Sequence, residues 1–340
     1  MKLKLSLEVL GLLCLAAVIA VMPRLVSSFT AYEMATVGMY FIALLGLSIL
    51  TGYSGQISLG HGAFMAIGGY TTAVLSVNGV YGHHIRDLWT IPIAGVVAGA
   101  AGLLVGIPAL RLSGLYLALI TFGIAVSFRQ IPLKFDHFLG GTSGKVLSLL
   151  TTPFGLPTTP NNWIYYLTWG IAFVLLVIAW LFVRGKPGRT LKAIRDSEIA
   201  AASSGISLAR YKTLAFAMSA FYAGVAGSLY AIARGFMNPD VFPIVLSVYL
   251  VAALALGGVD SFVGLIVGAS AIYVLVNRTA DVTRWIDHLP GVNLNPQRPG
   301  MPDVIFGAVL ILVLIVLPTG VGGALRRLFG PLTTRLYSKS

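Results

Sequence analysis

Uncharged polar side chains are concentrated in one short segment, TGYSGQISLGHG at residues 51–62, between two apolar stretches. If a helix begins near Gly62, its free amide groups favour a carboxylate, because a helix N-terminus carries a partial positive charge. Asp260 and Ser261 precede another apolar stretch, where they can cap a helix, and the Asp260 carboxylate can bind an ammonium group. Together these groups would suit a zwitterionic ligand with an aliphatic side chain. The candidate residues are Gly52, Tyr53, Ser54, Gln56, Ser58, His61, Asp260 and Ser261.

The same composition has a second interpretation. Glycines let helices cross closely, and short polar residues cap turns without binding any ligand. Small residues four apart also occur at Gly95 and Gly99, and at Gly264 and Gly268, where we expect tight internal packing. At the level of the sequence, both interpretations of residues 51–62 stay open.

Residue types that could support catalysis or bind a metal form no recognisable set. No Ser-His-Asp or paired-carboxylate arrangement can be assembled, and adjacent His83 and His84 diverge too much to be good ligands for one ion. GGTSGKV at 140–146 is not a phosphate-binding loop, because Leu139 and Val146 stand where Gly and Ser or Thr are required. We therefore expect no enzymatic activity, no metal and no cofactor bound by this chain, and any ATP must be hydrolysed by another protein.

The elements that must position these residues are membrane helices. The 340 residues are 57% hydrophobic and 10% charged, far below the roughly one quarter of charged residues in soluble domains. A helix needs about 20 apolar residues to cross the hydrocarbon core. The sequence predicts an all-α polytopic transmembrane helical bundle with about 8–10 spans, in a single domain over 1–340. The predicted spans are 9–22, 35–50, 63–77, 90–110, 114–131, 163–183, 211–232, 242–256, 262–276 and 302–318.

The distribution of charge predicts how this bundle lies in the membrane. The net charge is +12, and most basic residues fall on one side when the spans are counted in order. The positive-inside rule then places both termini and the 184–212 loop in the cytoplasm. The basic and apolar start of the chain predicts an uncleaved first helix, because no convincing small-residue cleavage site follows it. Cys14 is the only cysteine, so no intrachain disulfide can form.

Two pairs of apolar segments are shorter than a full span: 35–50 with 63–77, and 242–256 with 262–276. Short or glycine-interrupted segments at corresponding places in two halves are typical of transport sites. The linker between the first pair has no charged residue, so it can lie at membrane depth. A helix broken near the midplane and an ordinary cytoplasmic turn are equally compatible with this pattern.

The 184–212 loop predicts a cytoplasmic amphipathic helix over 189–205. Pro187 and Gly188 end the preceding span and open the new helix, and Gly205 suits its C-terminal end. Its apolar stripe is expected to dock in a groove of another protein. The alternative is a helix resting on lipid headgroups, which its acidic residues disfavour. The candidate docking residues are Arg189, Leu191, Ile194, Arg195, Asp196, Glu198, Ile199 and Gly205.

Two segments carry distinctive motifs: GLSILTGYSGQISLGHGAFMAIGGYTTAVL at 46–75 and GRTLKAIRDSEIAAASSGISLARYKTLAFAMSAFYAGVAGSLYA at 188–231. The second closely resembles the cytoplasmic-loop signature of the permeases of branched-chain amino acid ABC importers, and the first resembles the other hallmark of that family. GLYLALITFGIA, LGGTSG and LALGGVDSFVGLIVGA resemble its weaker motifs, in the family's order. The match is similar to the M-type of the two homologous membrane subunits. Ile199 follows Glu198, where maltose-type importers have Ala, as is usual for the branched-chain group.

The resemblance implies a subunit of a bacterial inner-membrane importer with two permeases, two ATPases that bind ATP and Mg²⁺, and a periplasmic binding protein. Residues 51–62 and 260–261 would then line the translocation pathway, and closure of the ATPases would push on the 189–205 helix. Charge reversal at Arg195 or Glu198 would uncouple ATP hydrolysis from uptake. Permeases for urea, amides or aromatic acids are similar, so the substrate stays open. A secondary transporter driven by Na⁺ or H⁺ is the main rival, although acids are scarce in the spans.

Overall fold

The computed structural model describes residues 17, 19–79, 87–109, 114–147, 158–258, 261–278, 304 and 307–308. In this part of the chain the structure is a bundle of helices with one pair of short strands. The helices are α1 (Ser28–Leu47), α2 (His61–Val77), α3 (Asp87–Ala109), α4 (Leu115–Phe128), α5 (Gln130–Lys134), α6 (Asp136–Leu139), α7 (Pro160–Arg184), α8 (Lys186–Asp196), α9 (Glu198–Ser203), α10 (Leu208–Arg234), α11 (Ile244–Gly257) and α12 (Phe262–Asn277). A π-helical turn, Ser48–Tyr53, extends α1, and Gly141–Ser143 forms a 3₁₀ turn.

Five helical stretches within the described residues are long and apolar enough to cross a membrane. They are Ser28–Tyr53, Leu88–Pro108, Tyr116–Lys134, Pro160–Arg184 and Leu208–Arg234. The apolar helices α11 and α12 are shorter, at 14 and 16 residues. The polytopic all-α membrane bundle predicted from composition is confirmed.

Most predicted spans coincide with helices. The seven spans from 63–77 to 262–276 match α2, α3, α4, α7, α10, α11 and α12 to within three residues at each end. The span 35–50 is wrong, because α1 begins at Ser28 and continues to Tyr53 as a stretch of 26 residues. Most of the spans 302–318 and 9–22, with Cys14, lies outside the described residues, and the described parts, 304, 307–308, 17 and 19–22, are helical.

Glu33 explains why the start of α1 was missed. A carboxylate in the first turns of an apolar segment reads as part of a loop, since burying an unpaired charge is costly. In the structure Glu33 forms an ion pair with Arg278 and accepts a hydrogen bond from the Tyr273 hydroxyl at 2.8 Å. These partners come from the far end of the chain, so they allow the helix to include an acidic residue.

The central helix of the bundle is α10, whose small residues bring neighbouring helices close. A Cβ atom at Gly227 would lie under 3 Å from the Met65 backbone in α2, and one at Gly68 would lie under 3 Å from the Gly224 backbone. The predicted glycine pairs also pack internally: Gly95 lies against Phe221 of α10, and a Cβ at Gly264 would meet the backbone of α11. Close backbone approach of this kind requires residues without side chains.

One short pair of strands accompanies the helices of the all-α bundle. Lys145–Val146 (β1) and Phe236–Met237 (β2) form an antiparallel pair, with Lys145 opposite Met237.

The Ser28 and Thr159 hydroxyls, at the starts of α1 and α7, lie 3.1 Å apart. At the other end of these two helices the chain enters the π-helical turn and α8, and we refer to this as the α8–α9 end of the bundle.

Candidate translocation and docking sites

The linker 54–60 between α1 and α2 is tied back onto the end of α1. The Leu50 carbonyl accepts hydrogen bonds from the backbone amide of Gln56 at 3.2 Å and from the Ser54 hydroxyl at 2.6 Å. The Gln56 carbonyl accepts one from the Thr51 hydroxyl at 3.2 Å. A wide π-helical turn followed by these bonds ends α1 without a charged cap from its own sequence.

The helix α2 begins inside the bundle. His61 is fully buried, and its Nε2 atom lies 2.9 Å from the carbonyl oxygen of Ala43. Ala43 stands ten residues before Tyr53, which corresponds to about 15 Å along a helix. The linker therefore returns from the α8–α9 end to the interior before α2 starts. A helix broken near the midplane stays a prediction, since the 26-residue stretch Ser28–Tyr53 is by itself long enough to cross a membrane.

Hydrogen bonds to other helices fix the start of α2. The Leu59 amide donates to the Thr121 hydroxyl of α4 at 3.0 Å, and the Gly62 amide donates to the Ser247 hydroxyl of α11 at 2.9 Å. The prediction of free amide groups near Gly62 is wrong at this position, because Ser247 occupies the place where a carboxylate was expected. Thr121 and Ser247 were not singled out from the sequence, where each is one polar residue within an apolar helix.

Two polar atoms of this region lack a partner within the described residues. They are Nε2 of Gln56 and Nδ1 of His61, and these residues are only 5% and 0% exposed. Ser58 is also buried, and its hydroxyl accepts a hydrogen bond from the Gly60 amide at 3.3 Å. Buried polar groups are usually hydrogen-bonded, so Gln56 and His61 are the groups here with unused capacity.

Beside the linker, α2, α4 and α11 enclose a narrow cleft. Gly62, Ala66 and Ser247 line it, and Arg129 at the C-terminal end of α4 lies at its edge. The Arg129 guanidinium pairs with Asp240 at 2.7 Å, and both side chains are more than half exposed. The cleft thus leads from the start of α2 to an ion pair at the protein surface.

The second candidate helix end is only partly described. Ser261 caps α12 as predicted, with its hydroxyl accepting a hydrogen bond from the Gly264 amide at 3.2 Å. Asp260 lies outside the described residues, as do His83, His84 and His288. Within the residues that the structure describes, no three His, Cys, Asp or Glu side chains are grouped as metal ligands.

At the α8–α9 end, the single helix predicted over 189–205 is replaced by two. Ser197 has extended backbone angles, and its hydroxyl accepts a hydrogen bond from the Ala200 amide at 3.2 Å, which caps α9. A serine that caps a new helix in this way also ends the previous one. Gly205 follows α9 with a φ of +80°, and the Ile206 amide donates to the Ala201 carbonyl at 3.1 Å. This is the glycine-terminated helix end expected from the sequence.

The predicted apolar stripe faces two directions. Leu191 and Ile194 are buried against the chain's own bundle, so they are not available to another protein. Ile199, on α9, is 83% exposed. The exposed apolar surface of this helix pair is therefore smaller than the stripe that the sequence suggested.

Two of the predicted docking charges also bind the chain itself. The Arg195 guanidinium donates to the Gly52 carbonyl at 2.6 Å, and Glu198 pairs with Lys212 of α10 at 2.7 Å. The Lys212 side chain is only 4% exposed, whereas that of Glu198 is 46% exposed. Asp196 approaches Arg195 at 3.4 Å and stays open to solvent, as does Arg189. The role of Lys212 was not predicted from the sequence, because its partner Glu198 lies on the other side of the turn at Gly205.

Buried polar groups at the start of a helix, inside a bundle of helices long and apolar enough to cross a membrane, are typical of a membrane transport protein. The profile of the family described as "Branched-chain amino acid transport system / permease component" matches residues 29–314. The chain belongs to this family of ABC transporter permeases.

Several characterised permeases are similar to this chain. The high-affinity branched-chain amino acid permease protein LivM of Escherichia coli K12 is 37% identical over 298 residues, covering 79% of this chain and 67% of the relative. LivH of Salmonella typhimurium LT2 is 24% identical over 84% of this chain and 91% of its own length. The autoinducer 2 import permease LsrC of Enterobacter sp. 638 is 25% identical over 77% of this chain and 75% of its own length. No solved structure matches.

Proposed function

We propose that this chain forms the translocation pathway of an importer for branched-chain amino acids and is driven by separate ATPase subunits. The observation that carries the proposal is the exposed Ile199, on a short helix that is otherwise tied to the bundle by Glu198 and Lys212. A rigidly held helix with one exposed apolar anchor is suited to dock in a groove of another protein. The similarity to LivM, a permease for branched-chain amino acids by name, supports the substrate class.

The partners of the proposed assembly follow from the same family. They are a second, LivH-type permease, two ATPases that bind ATP and Mg²⁺, and an external binding protein. The α8–α9 end with its basic residues faces the cytoplasm in this proposal, with both termini on the same side. Uptake of urea, amides or aromatic acids is the alternative within this class, and competition among these solutes for uptake of labelled leucine separates the two.

Replacement of Ile199 by serine tests the docking role. We expect at least about a tenfold loss of affinity for the ATPase subunits, because a central apolar anchor of an interface contributes about 2 kcal/mol or more. Affinity is measured by titrating purified ATPase onto the permease complex in nanodiscs. Leu214→Ser is the matched control, since Leu214 is an exposed apolar residue on the neighbouring helix α10.

Equal ATPase affinity of the Ile199→Ser and parent complexes would contradict the docking role of α9. Accumulation of leucine by this chain alone, reconstituted without any ATPase and driven by an ion gradient, would contradict the whole proposal. That result would favour the secondary transporter.

The proposed pathway runs past the linker and the cleft. Its candidate residues are Gly52, Tyr53, Ser54, Gln56, Ser58, His61, Asp260 and Ser261. The unpaired Gln56 Nε2 and His61 Nδ1 atoms support this assignment, because they can bind a polar solute without first breaking a bond within the described residues.

Gln56→Leu tests the pathway. The substitution removes the unpaired Nε2 donor together with Oε1, which accepts a hydrogen bond from the Ser54 hydroxyl at 3.1 Å. The Ser54 hydroxyl keeps the Leu50 carbonyl as its acceptor, so we expect little change in thermal stability and a loss of about tenfold in uptake, as for one lost hydrogen bond to the solute. Thr71→Val is the control, because within the described part of the chain the Thr71 hydroxyl hydrogen-bonds only to the Ile67 carbonyl of its own helix, at 2.7 Å. Normal uptake by a normally assembled Gln56→Leu complex would exclude Gln56 from the pathway.

A further inference from the structure

The Arg195 side chain of α8 forms a hydrogen bond to the end of α1. Arg195 Nη1 donates to the carbonyl oxygen of Gly52 at 2.6 Å. Gly52 lies in the π-helical turn Ser48–Tyr53, at a helix C-terminus where carbonyl groups lack partners within their own helix. The guanidinium also lies where the helix carries partial negative charge. Arg195 thus caps α1 from a different helix.

The aliphatic part of Arg195 meets the linker itself. Gly55 has a φ of +71°, and a Cβ atom there would lie 2.8 Å from Arg195 Cγ. The linker backbone therefore passes directly against the arginine stem. Lys192, one turn earlier on α8, places its ammonium 5.0 Å from the centre of the Tyr53 ring, within the range of a cation–π contact.

Arg195 lies between the exposed helix α9 and the linker 54–60. It stands two residues before Ser197, where α8 ends and the exposed helix α9 begins. On its other side, the linker 54–60 leads directly to the buried start of α2. Arg195 contacts both Gly52 and Gly55, so a displacement of α9 that moves Arg195 also acts on the linker, and the linker leads to the start of α2.

We propose that Arg195 is the positioning residue that transmits movement of α8 and α9 to the linker 54–60, by holding the Gly52 carbonyl and packing on Gly55. The inference rests on the proposed function, since it takes α9 as the surface that the ATPases move. π-helical turns are frequent at functional sites, and one that is capped by another helix can respond to that helix. This role differs from the predicted docking role, in which Arg195 would contact the partner.

The test follows the linker during the ATPase cycle. Ile57 is an exposed linker residue, and Cys14 is the only native cysteine, so Ile57→Cys in a Cys14→Ser background gives one linker thiol. The full complex, with second permease, ATPases and binding protein, is reconstituted, and maleimide labelling rates are compared with and without vanadate-trapped nucleotide. Arg195→Met keeps the stem and removes the donors. Lys186→Met, an exposed cation of the same helix, is the matched control.

We expect nucleotide to change the labelling rate in the parent and in Lys186→Met, and to have little effect in Arg195→Met. Uptake per ATP should fall about tenfold in Arg195→Met, as for one lost charge-assisted hydrogen bond, while its basal ATP hydrolysis persists. Arg195→Lys retains a cation and should give an intermediate response. If the complex with Arg195→Met does not assemble, the Arg195→Lys complex is the test in its place.

A full nucleotide response and normal uptake per ATP in Arg195→Met, or in Arg195→Lys where it is the test, would overturn the inference. A parent complex whose linker thiol ignores nucleotide would also overturn it. Failure of the proposed function gives a different result, because the parent chain would then not retain ATPase subunits during purification. Retained ATPase with an unresponsive linker refutes only the role of Arg195.

Discussion

Replacement of Glu198 by alanine should release α9 from the bundle. Lys212 is 4% exposed and has Glu198 as its ion-pair partner at 2.7 Å, so the substitution leaves a buried ammonium without its counter-charge. Removing one partner of a fully buried pair costs about 3–5 kcal/mol, and the partial exposure of Glu198 reduces this to roughly 2 kcal/mol. We expect amide hydrogen exchange in residues 198–206 to accelerate by about thirtyfold, measured by mass spectrometry of the purified protein.

The double variant Glu198→Gln with Lys212→Met separates the buried charge from other effects. It removes both charges, so no unpaired ammonium remains, and most of the protection should return. Exchange in the single variant that matches the parent would show that Lys212 finds another partner.

Charge reversal at Glu198 should have a larger effect than alanine, because it places two cations together. The expected uncoupling by charge reversal at Glu198 is then a consequence of a displaced α9, and direct contact with the ATPase is not required.

Gly227→Ala should give the largest loss of stability. A Cβ atom at this position would lie under 3 Å from the Met65 backbone, and backbone cannot move aside as a flexible side chain can. The added methyl group must push α2 away from α10, which we expect to cost roughly 3 kcal/mol. Since α2 carries the buried start at His61, uptake should fall together with stability. The measurement is the thermal unfolding midpoint in detergent, together with the yield of assembled complex.

Gly123→Ala is the matched control on another membrane helix. No atom outside the local helix lies within 4 Å of a Cβ at Gly123, so this variant should equal the parent or gain up to about 1 kcal/mol from helix propensity. Equal unfolding midpoints for Gly227→Ala and Gly123→Ala would mean that the contact between α2 and α10 is looser than the structure shows.

The order and extent of the helices were largely predictable. A membrane span is recognised from the hydropathy of about 20 consecutive residues, which is a property of the segment itself. Pro187, Gly205 and Ser261 act at helix ends as predicted, because capping depends on residues within one turn. The start of α1 was missed for the opposite reason, since Glu33 is accommodated by partners about 240 residues away.

The candidate sites were located correctly as segments, but the contacts of their residues were not predicted. Residues 51–62 do join the end of one helix to the buried start of the next, yet the Gly62 amide already donates a hydrogen bond to the Ser247 hydroxyl. Arg195 and Glu198 do lie on a charged surface helix, yet they bind Gly52 and Lys212.

Amino-acid order alone determined that this chain is a helical membrane permease, where most of its helices lie, and which family motifs it carries, because hydropathy and motifs are local in the chain. Tertiary structure decided that α2 starts in the interior, that only Ile199 of the apolar stripe is exposed, and that Arg195 joins α8 to the linker. Those facts depend on pairs of groups separated by tens to hundreds of residues. Which pairs meet is fixed by helix packing, and a single segment does not specify which helix it packs against.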